Sequence, residues 1–139
     1  MPLRKGGVRV RVDSSEDFVI NVHKLQQTSL IIVRGEIDLA NIHILADAVD
    51  HLVRREVPLL FDLTKVRYID TVGLHFLRRV HEQCARQHVP FAVVTNRRVR
   101  RVCGLFSLDT LIPMFPNMTL ARDNMAADWG CLPSAAPAV

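Results

Sequence analysis

Residues 68–74, with the sequence Tyr-Ile-Asp-Thr-Val-Gly-Leu, combine residue types that could carry or bind an anion. A buried strand is predicted shortly before this segment, and a helix is predicted to begin at Thr71. The unpaired amides of a helix's first turn attract negative charge. A phosphate on the Thr71 hydroxyl would add roughly 1.5 to 2 negative charges beside those amides and next to Asp70. Thr71 is therefore a candidate phosphorylation site, while simple capping of the helix by Asp70 or Thr71 explains the same local pattern.

The other residues that could take part in catalysis or bind a metal form no recognised catalytic or metal-binding motif. The six histidines include no His-Glu-x-x-His pair, and the glycines form no phosphate-binding loop. Gly-x-Ser-x-Gly, the nucleophile elbow of hydrolases, is also absent. The three cysteines, Cys84, Cys103 and Cys131, have no Cys-x-x-Cys spacing, and the first two fall on apolar helix faces. We therefore predict a protein that is not an enzyme and needs neither a metal nor a cofactor.

Length and composition indicate one ordinary globular domain. The chain has 139 residues, 49% of them hydrophobic, and a net charge of +4. Its basic residues are scattered except for Arg97, Arg98, Arg100 and Arg101, and no aromatic residue lies among these four. Direct nucleic-acid binding is therefore not predicted. Neither a signal peptide nor an apolar run of ~20 residues is visible, so we expect a cytoplasmic protein without membrane insertion.

Hydrophobic periodicity predicts the order β-β-α-β-α-β-α-β-α. The predicted strands are residues 18–23, 30–33, 59–63, 90–94 and 111–115. The predicted helices begin near Ile42, Thr71 and Val99, and a fourth helix is capped by Asn117. The segment 35–39 breaks the strand pattern, and residues 64–70 are predicted to form a loop.

This alternation implies an α/β fold, with a mixed central sheet of four to five strands and four helices mainly on one face. We divide the chain into an N-terminal arm or edge strand (residues 1–16), a single domain (17–128) and a flexible tail (129–139). The helical faces predict a core that includes Leu45, Val49, Leu52, Leu77, Val80 and Val102. Phe106 is predicted to share the apolar face of the third helix.

Three blocks of sequence together resemble the STAS domain family, and specifically its anti-sigma factor antagonists. Residues 35–40, Gly-Glu-Ile-Asp-Leu-Ala, resemble the family's turn before its first helix. Residues 60–74 resemble its strand, loop and phosphoacceptor block. Residues 96–113 resemble its third helix and the following strand. The order and spacing of the three blocks match the family over about residues 18–125.

The resemblance implies a switchable protein-binding module. Antagonists of this type, when unphosphorylated, bind an anti-sigma factor that is a kinase of the histidine-kinase-like ATPase type, and so free a sigma factor. Phosphorylation of the residue after the motif aspartate, here Thr71, blocks binding, and a phosphatase resets the switch. The implied partner-binding residues are Asp38, Asp70, Thr71, Val72, Gly73, Leu74 and His75. A homodimer remains open as the oligomeric state.

Two departures from the family pattern keep alternatives open. Thr71 and Val72 stand where the commonest motif, Asp-Ser-Ser-Gly-Leu, has two serines. Threonine keeps the nucleophilic oxygen but stiffens χ1. Residues 70–74 are also close to the Asp-Thr-Ala-Gly-Leu motif of STAS subunits in Mla-type phospholipid transporters, which dock on an ABC ATPase. A scaffold that binds partners without phosphorylation is the other alternative.

Overall fold

The computed structural model describes residues 7–11, 18–25 and 27–129, which form strands and helices in close alternation. A short 3-10 turn, Leu108–Thr110, follows the third helix. The strands are β1 (Gly7–Arg11), β2 (Val19–Lys24), β3 (Ser29–Ile37), β4 (Leu59–Ile69), β5 (Phe91–Thr95) and β6 (Met114–Phe115). The helices are α1 (Ile42–Val53), α2 (Thr71–Arg86), α3 (Arg97–Leu105) and α4 (Met118–Trp129).

The six strands form one mixed sheet in which they lie in chain order. β1, β2 and β3 are antiparallel neighbours, and β3, β4, β5 and β6 run parallel. Each parallel step carries a helical crossover, as parallel strands require. The four to five strands predicted become six because Gly7–Arg11 pairs with β2 as an edge strand.

The sheet buries apolar residues on both faces, but unequally. The larger core lies between the sheet and helices α1, α2 and α3, whereas the smaller core lies under α4. The prediction of helices mainly on one face is therefore confirmed. The predicted core residues Leu45, Val49, Leu52, Leu77 and Val80 are all buried.

Val102 was predicted to be buried, and this prediction is wrong. On the short helix α3 the buried positions belong to Val99 and Cys103, which are spaced one turn apart and face the sheet. Val102 lies at the side of that face and is only half-buried. The prediction for Phe106 is also wrong, because α3 ends at Leu105 and Phe106 is 46% exposed.

The predicted loop at residues 64–70 is instead the second half of β4. This strand runs to Ile69 because it stays paired with β3 as far as the contact between Ile37 and Ile69. Likewise β3 continues into the segment 35–39, where the sequence pattern indicated a break, and ends at Ile37. Gly35, with φ of 100°, sits beside an irregularity in the pairing and lets the strand bend without ending.

Among the helices of the described ranges, none is long and apolar enough to cross a membrane. The predicted flexible tail lies outside the described residues, except that Trp129 is the last residue of α4. The predicted cap of α4 is confirmed, since the Asn117 side chain accepts a hydrogen bond from the Leu120 amide at 2.9 Å.

Candidate partner-binding site

The first turn of α2 presents Thr71 on a rigid support. Asp70 is the N-cap residue, and its Oδ1 accepts a hydrogen bond from the Gly73 amide at 2.9 Å. The Asp70 amide in turn donates to the Ile37 carbonyl at 3.1 Å, which ties this helix start to the end of β3. Thr71 is therefore the first residue of the helix, as predicted. Its side chain is exposed, and its hydroxyl has no hydrogen-bond partner within the part of the chain that the structure describes.

Gly73 allows α2 to approach the ends of β3 and β4 closely. A Cβ atom at this position would lie 2.5 Å from Cγ1 of Ile69 and 3.0 Å from Cγ2 of Ile37. Such distances are well inside van der Waals contact, so any larger residue would push the helix start or Ile69 aside. The glycine therefore fixes the position of Thr71 relative to the ends of both strands.

The turn between β3 and α1 lies beside this helix start and is held by one buried side chain. The Asn41 side chain, which is 1% exposed, donates from Nδ2 to the Glu36 carbonyl at 2.8 Å and accepts the Asp38 amide at 3.0 Å. Oδ1 of Asp38 accepts the Ala40 amide at 3.0 Å. These bonds fix the direction of the turn and leave Leu39 71% exposed at its tip.

A small concavity of about 40 Å³ joins the first two turns of α2 to the segment after α3. Its lining residues are Thr71, Leu74, His75, Arg78, Phe106 and Leu108. Thr71, His75 and Arg78 share this side of α2 because their spacing of four and three residues follows the helical period. Arg78 therefore brings a guanidinium group to the same concavity as the Thr71 hydroxyl. Its rigid donor fork suits an oxyanion.

The residues predicted to bind a partner separate into exposed and supporting ones. Thr71 and His75 are exposed, whereas Asp38, Asp70 and Val72 are half-buried. Gly73 and Leu74 are buried, with Leu74 4% exposed, so their side chains support the site from beneath. The turn carrying Asp38 and the start of α2 are adjacent through the bond between Asp70 and Ile37.

Sequence reasoning missed Leu39, Arg78 and Phe106 as members of this surface. Arg78 carried a usable signal in the sequence, because its spacing of seven residues from Thr71 places both on one side of the second helix. Phe106 gave no such signal, because its exposure depends on where α3 ends and on Ser107, which adopts a left-handed conformation with φ of 61°. We call the set Asp38, Leu39, Thr71, His75, Arg78 and Phe106 the Thr71 surface.

The cysteines with described positions are not poised for nucleophilic chemistry. Burial raises the pKa of Cys84 to about 11, and burial together with the nearby Asp109 carboxylate raises the pKa of Cys103 to about 11. Both thiols therefore stay protonated near neutral pH, and both are buried, as expected from their predicted places on apolar helix faces. Cys131 lies outside the described residues. Within the described ranges, no group of three or more His, Cys, Asp or Glu side chains could hold a metal ion.

Comparison with known proteins identifies the fold and the family. Residues 19–121 match the STAS domain family model. The crystal structure of an anti-sigma factor antagonist from Mycobacterium paratuberculosis is 27% identical, covers 83% of this chain and 97% of its own, and superposes with a TM-score of 0.72. A putative anti-sigma factor antagonist from Thermotoga maritima is 20% identical over 74% of this chain and 91% of its own, with a TM-score of 0.68.

A third similar structure is the anti-sigma factor antagonist SpoIIAA in its unphosphorylated form. It is 12% identical, covers 78% of this chain and 96% of its own, and has a TM-score of 0.66. A search of curated protein sequences found no match. The mixed sheet with its helices is an α/β STAS fold, and the family model covers most of the chain, so this protein belongs to the STAS domain family.

Proposed function

We propose that this protein is an anti-sigma factor antagonist, a non-catalytic cytoplasmic module that binds an anti-sigma factor when Thr71 is unphosphorylated. The observation that carries the proposal is the exposed Thr71 hydroxyl, without an intramolecular partner among the described residues, at the first position of a rigidly held helix. Similarity to the antagonist from Mycobacterium paratuberculosis over nearly its whole length supports the same role. The proposed anti-sigma factor is a kinase of the histidine-kinase-like ATPase type.

The geometry of α2 is compatible with a phosphorylated Thr71 that leaves the fold intact. The first-turn amides of α2 and the Arg78 side chain provide positive potential near the phosphate, and the residues that anchor the helix lie on its buried side. In the phosphorylation step, the Thr71 oxygen attacks the γ-phosphorus of ATP. ADP leaves, and the hydroxyl proton passes to a base of the kinase.

The same phosphate would oppose the docking of a partner over the Thr71 surface. A partner that covers Thr71 and Leu39 must desolvate the added dianion, which costs free energy unless a new cation meets it. Asp38 and Asp70 add like charge at this end of the domain. A loss of ~3 kcal/mol corresponds to more than a hundredfold weaker binding. A phosphatase that removes the phosphate would restore the binding surface.

The transporter alternative rests on the motif Asp-Thr-Val-Gly-Leu at residues 70–74, and the constitutive scaffold rests on the replacement of serine by threonine. No contact at the Thr71 surface specifically favours either of these two alternatives. We therefore retain both as outcomes of the test.

The test is affinity capture with the full chain as bait, followed by incubation of the recovered complex with labelled ATP. We expect a partner with an ATPase-kinase fold and phosphate on Thr71. Thr71→Ala should bind the partner but accept no phosphate, and Thr71→Ser should accept phosphate at least as fast as the wild type.

Other results of this experiment would support one of the two alternatives and contradict the proposed function. An ABC ATPase recovered with lipid-transport components would support the transporter alternative. An anti-sigma kinase that binds but never phosphorylates Thr71 would support the constitutive scaffold.

A further inference from the structure

A second concave surface lies between α3 and the end of β4, and it shares no lining residue with the concavity at Thr71. β5 pairs with β4 only as far as Leu63 opposite Thr95, so the remainder of β4 extends beyond its neighbour. Helix α3 packs beside this extension and leaves an open groove of about 660 Å³. The residues lining it are Thr64, Lys65, Val66, Arg67, Asn96, Arg97, Arg98, Arg101 and Val102. We call it the α3 groove.

The α3 groove is strongly cationic. None of its lining residues is acidic. Five of them are basic and exposed: Lys65, Arg67, Arg97, Arg98 and Arg101. Arg67 pairs with Glu36 at 3.6 Å, in a half-exposed ion pair. No carboxylate in the described ranges forms an ion pair with the other four. Like charges gathered in one concavity maintain a positive potential, which attracts and holds an anionic partner.

The Asn96 side chain keeps the two walls of the groove together. Its Nδ2 donates to the carbonyls of Val66 at 2.7 Å and Thr64 at 3.2 Å, while its Oδ1 accepts the Val99 amide at 2.7 Å. One side chain therefore caps α3 and binds the free edge of β4. The cations of the strand and those of the helix are held in a defined relation before any partner arrives, which lowers the ordering cost of binding.

We propose that the α3 groove binds an extended acidic segment of a partner protein. Four of the five cations are guanidinium groups, whose planar donor forks match carboxylates. An open groove between a strand and a helix fits a single extended chain better than it fits a flat bilayer surface. No aromatic residue lines it, so the stacking platform that single-stranded nucleic acids use is missing there.

One exposed apolar position farther along α3, outside the groove lining, also favours a protein segment. Arg97, Arg101 and Leu105 follow one another at intervals of four residues, so they lie along one side of α3. Leu105 is a large apolar side chain that is 77% exposed. An acidic segment that ends in an apolar residue would match both the charges and this exposed leucine.

The test uses a fluorescein-labelled oligo-glutamate about eight residues long, a length that spans roughly 26 Å when extended. Binding to the full chain is followed by fluorescence anisotropy at low salt. We expect saturable binding that weakens as salt rises. Arg101→Glu should weaken it by at least about tenfold.

Arg100→Glu is the matched control, because Arg100 is an exposed arginine on the same helix that does not line the groove. It makes the same charge change and should weaken binding by less than about threefold. Equal losses in the two variants, or no binding by the wild type, would overturn the proposal. So would tighter, Arg101-dependent binding of an oligothymidylate or of phosphatidylserine–phosphatidylcholine vesicles.

Binding at the α3 groove does not require the proposed function of Thr71, because the two concavities share no lining residue. Thr71→Glu should bind the oligo-glutamate as the wild type does, because Thr71 does not line the α3 groove. Loss of peptide binding in that variant would contradict the separation of the two surfaces. The peptide result does not depend on whether Thr71 is phosphorylated.

Discussion

Helices α2 and α3 each border one of the two proposed interaction surfaces, but they are held in place by different means. α2 has 16 residues and places six of them in the core: Gly73, Leu74, Phe76, Leu77, Val80 and Cys84. α3 has nine residues and buries only Val99 and Cys103. Both helices are capped by a side chain that accepts an amide three residues later, Asp70 in α2 and Asn96 in α3.

The difference lies in what else each cap residue binds. The Asp70 side chain caps its own helix, and the position of α2 is set mainly by apolar packing. The Asn96 side chain reaches out of its helix to two carbonyls of β4. A short helix with a mostly charged surface has little apolar area to bury, so hydrogen bonds must fix its position. The Thr71 surface thus depends on the core, and the α3 groove depends on one polar side chain.

Truncation of the α2 core should produce the largest loss of stability. Leu77 is 1% exposed in the centre of α2, and Leu77→Ala leaves a cavity that neighbouring side chains fill only in part. We expect the free energy of unfolding to fall by about 2 to 5 kcal/mol. Chemical denaturation measures this directly, and a fall of less than ~1 kcal/mol would mean that α2 is not held by the core.

Removal of the polar anchor of α3 should cost less stability but should also damage the groove. Asn96→Ala removes three hydrogen bonds and leaves the carbonyls of Thr64 and Val66 without this donor. We expect a loss of about 1 to 3 kcal/mol in the free energy of unfolding, together with weaker oligo-glutamate binding.

Asn117→Ala is the matched control for this prediction, because it removes a single exposed cap bond at α4. It should cost about 1 kcal/mol or less and leave peptide binding unchanged. Equal effects of the two substitutions on peptide binding would remove the special role given to Asn96.

Truncation on the exposed side of α3 should have the smallest effect. Val102 is half-buried at the wall of the groove, so Val102→Ala removes two methyl groups that still contact water. We expect a loss of about 1 kcal/mol or less in the same denaturation experiment. A loss as large as that of Leu77→Ala would show that α3 is packed like α2.

The sequence predicted the long, regular elements well because their patterns are local. The apolar faces of α1 and α2 repeat at the helical period, and the predicted start of the second helix at Thr71 is confirmed. The predicted strand residues Leu60, Phe61 and Leu63 are confirmed in β4. The α/β class and the family followed from these elements and from the three sequence blocks.

The sequence predicted poorly wherever a distant partner decides the outcome. The end of β4 contains Lys65 and Arg67 and resembles a loop, yet its pairing with β3 makes it a strand. The α3 groove exists because β5 stops before β4 does, and no local pattern encodes that difference. Asn41 illustrates the same limit, since it occupies the N-cap position of α1, yet its side chain bonds to the preceding turn and not to the helix.

The measurement that tests the central claim most directly is the affinity of Thr71→Glu for the captured anti-sigma factor. Thr119→Glu is its matched control, since Thr119 is an exposed threonine in the first turn of α4, on the other face of the sheet. Thr71→Glu should bind at least about a hundredfold more weakly than the wild type, equivalent to ~3 kcal/mol, with unchanged thermal stability. Thr119→Glu and Thr71→Ala should bind as the wild type does. Wild-type affinity in Thr71→Glu, or an equal loss in Thr119→Glu, would contradict the role of Thr71 as the switch.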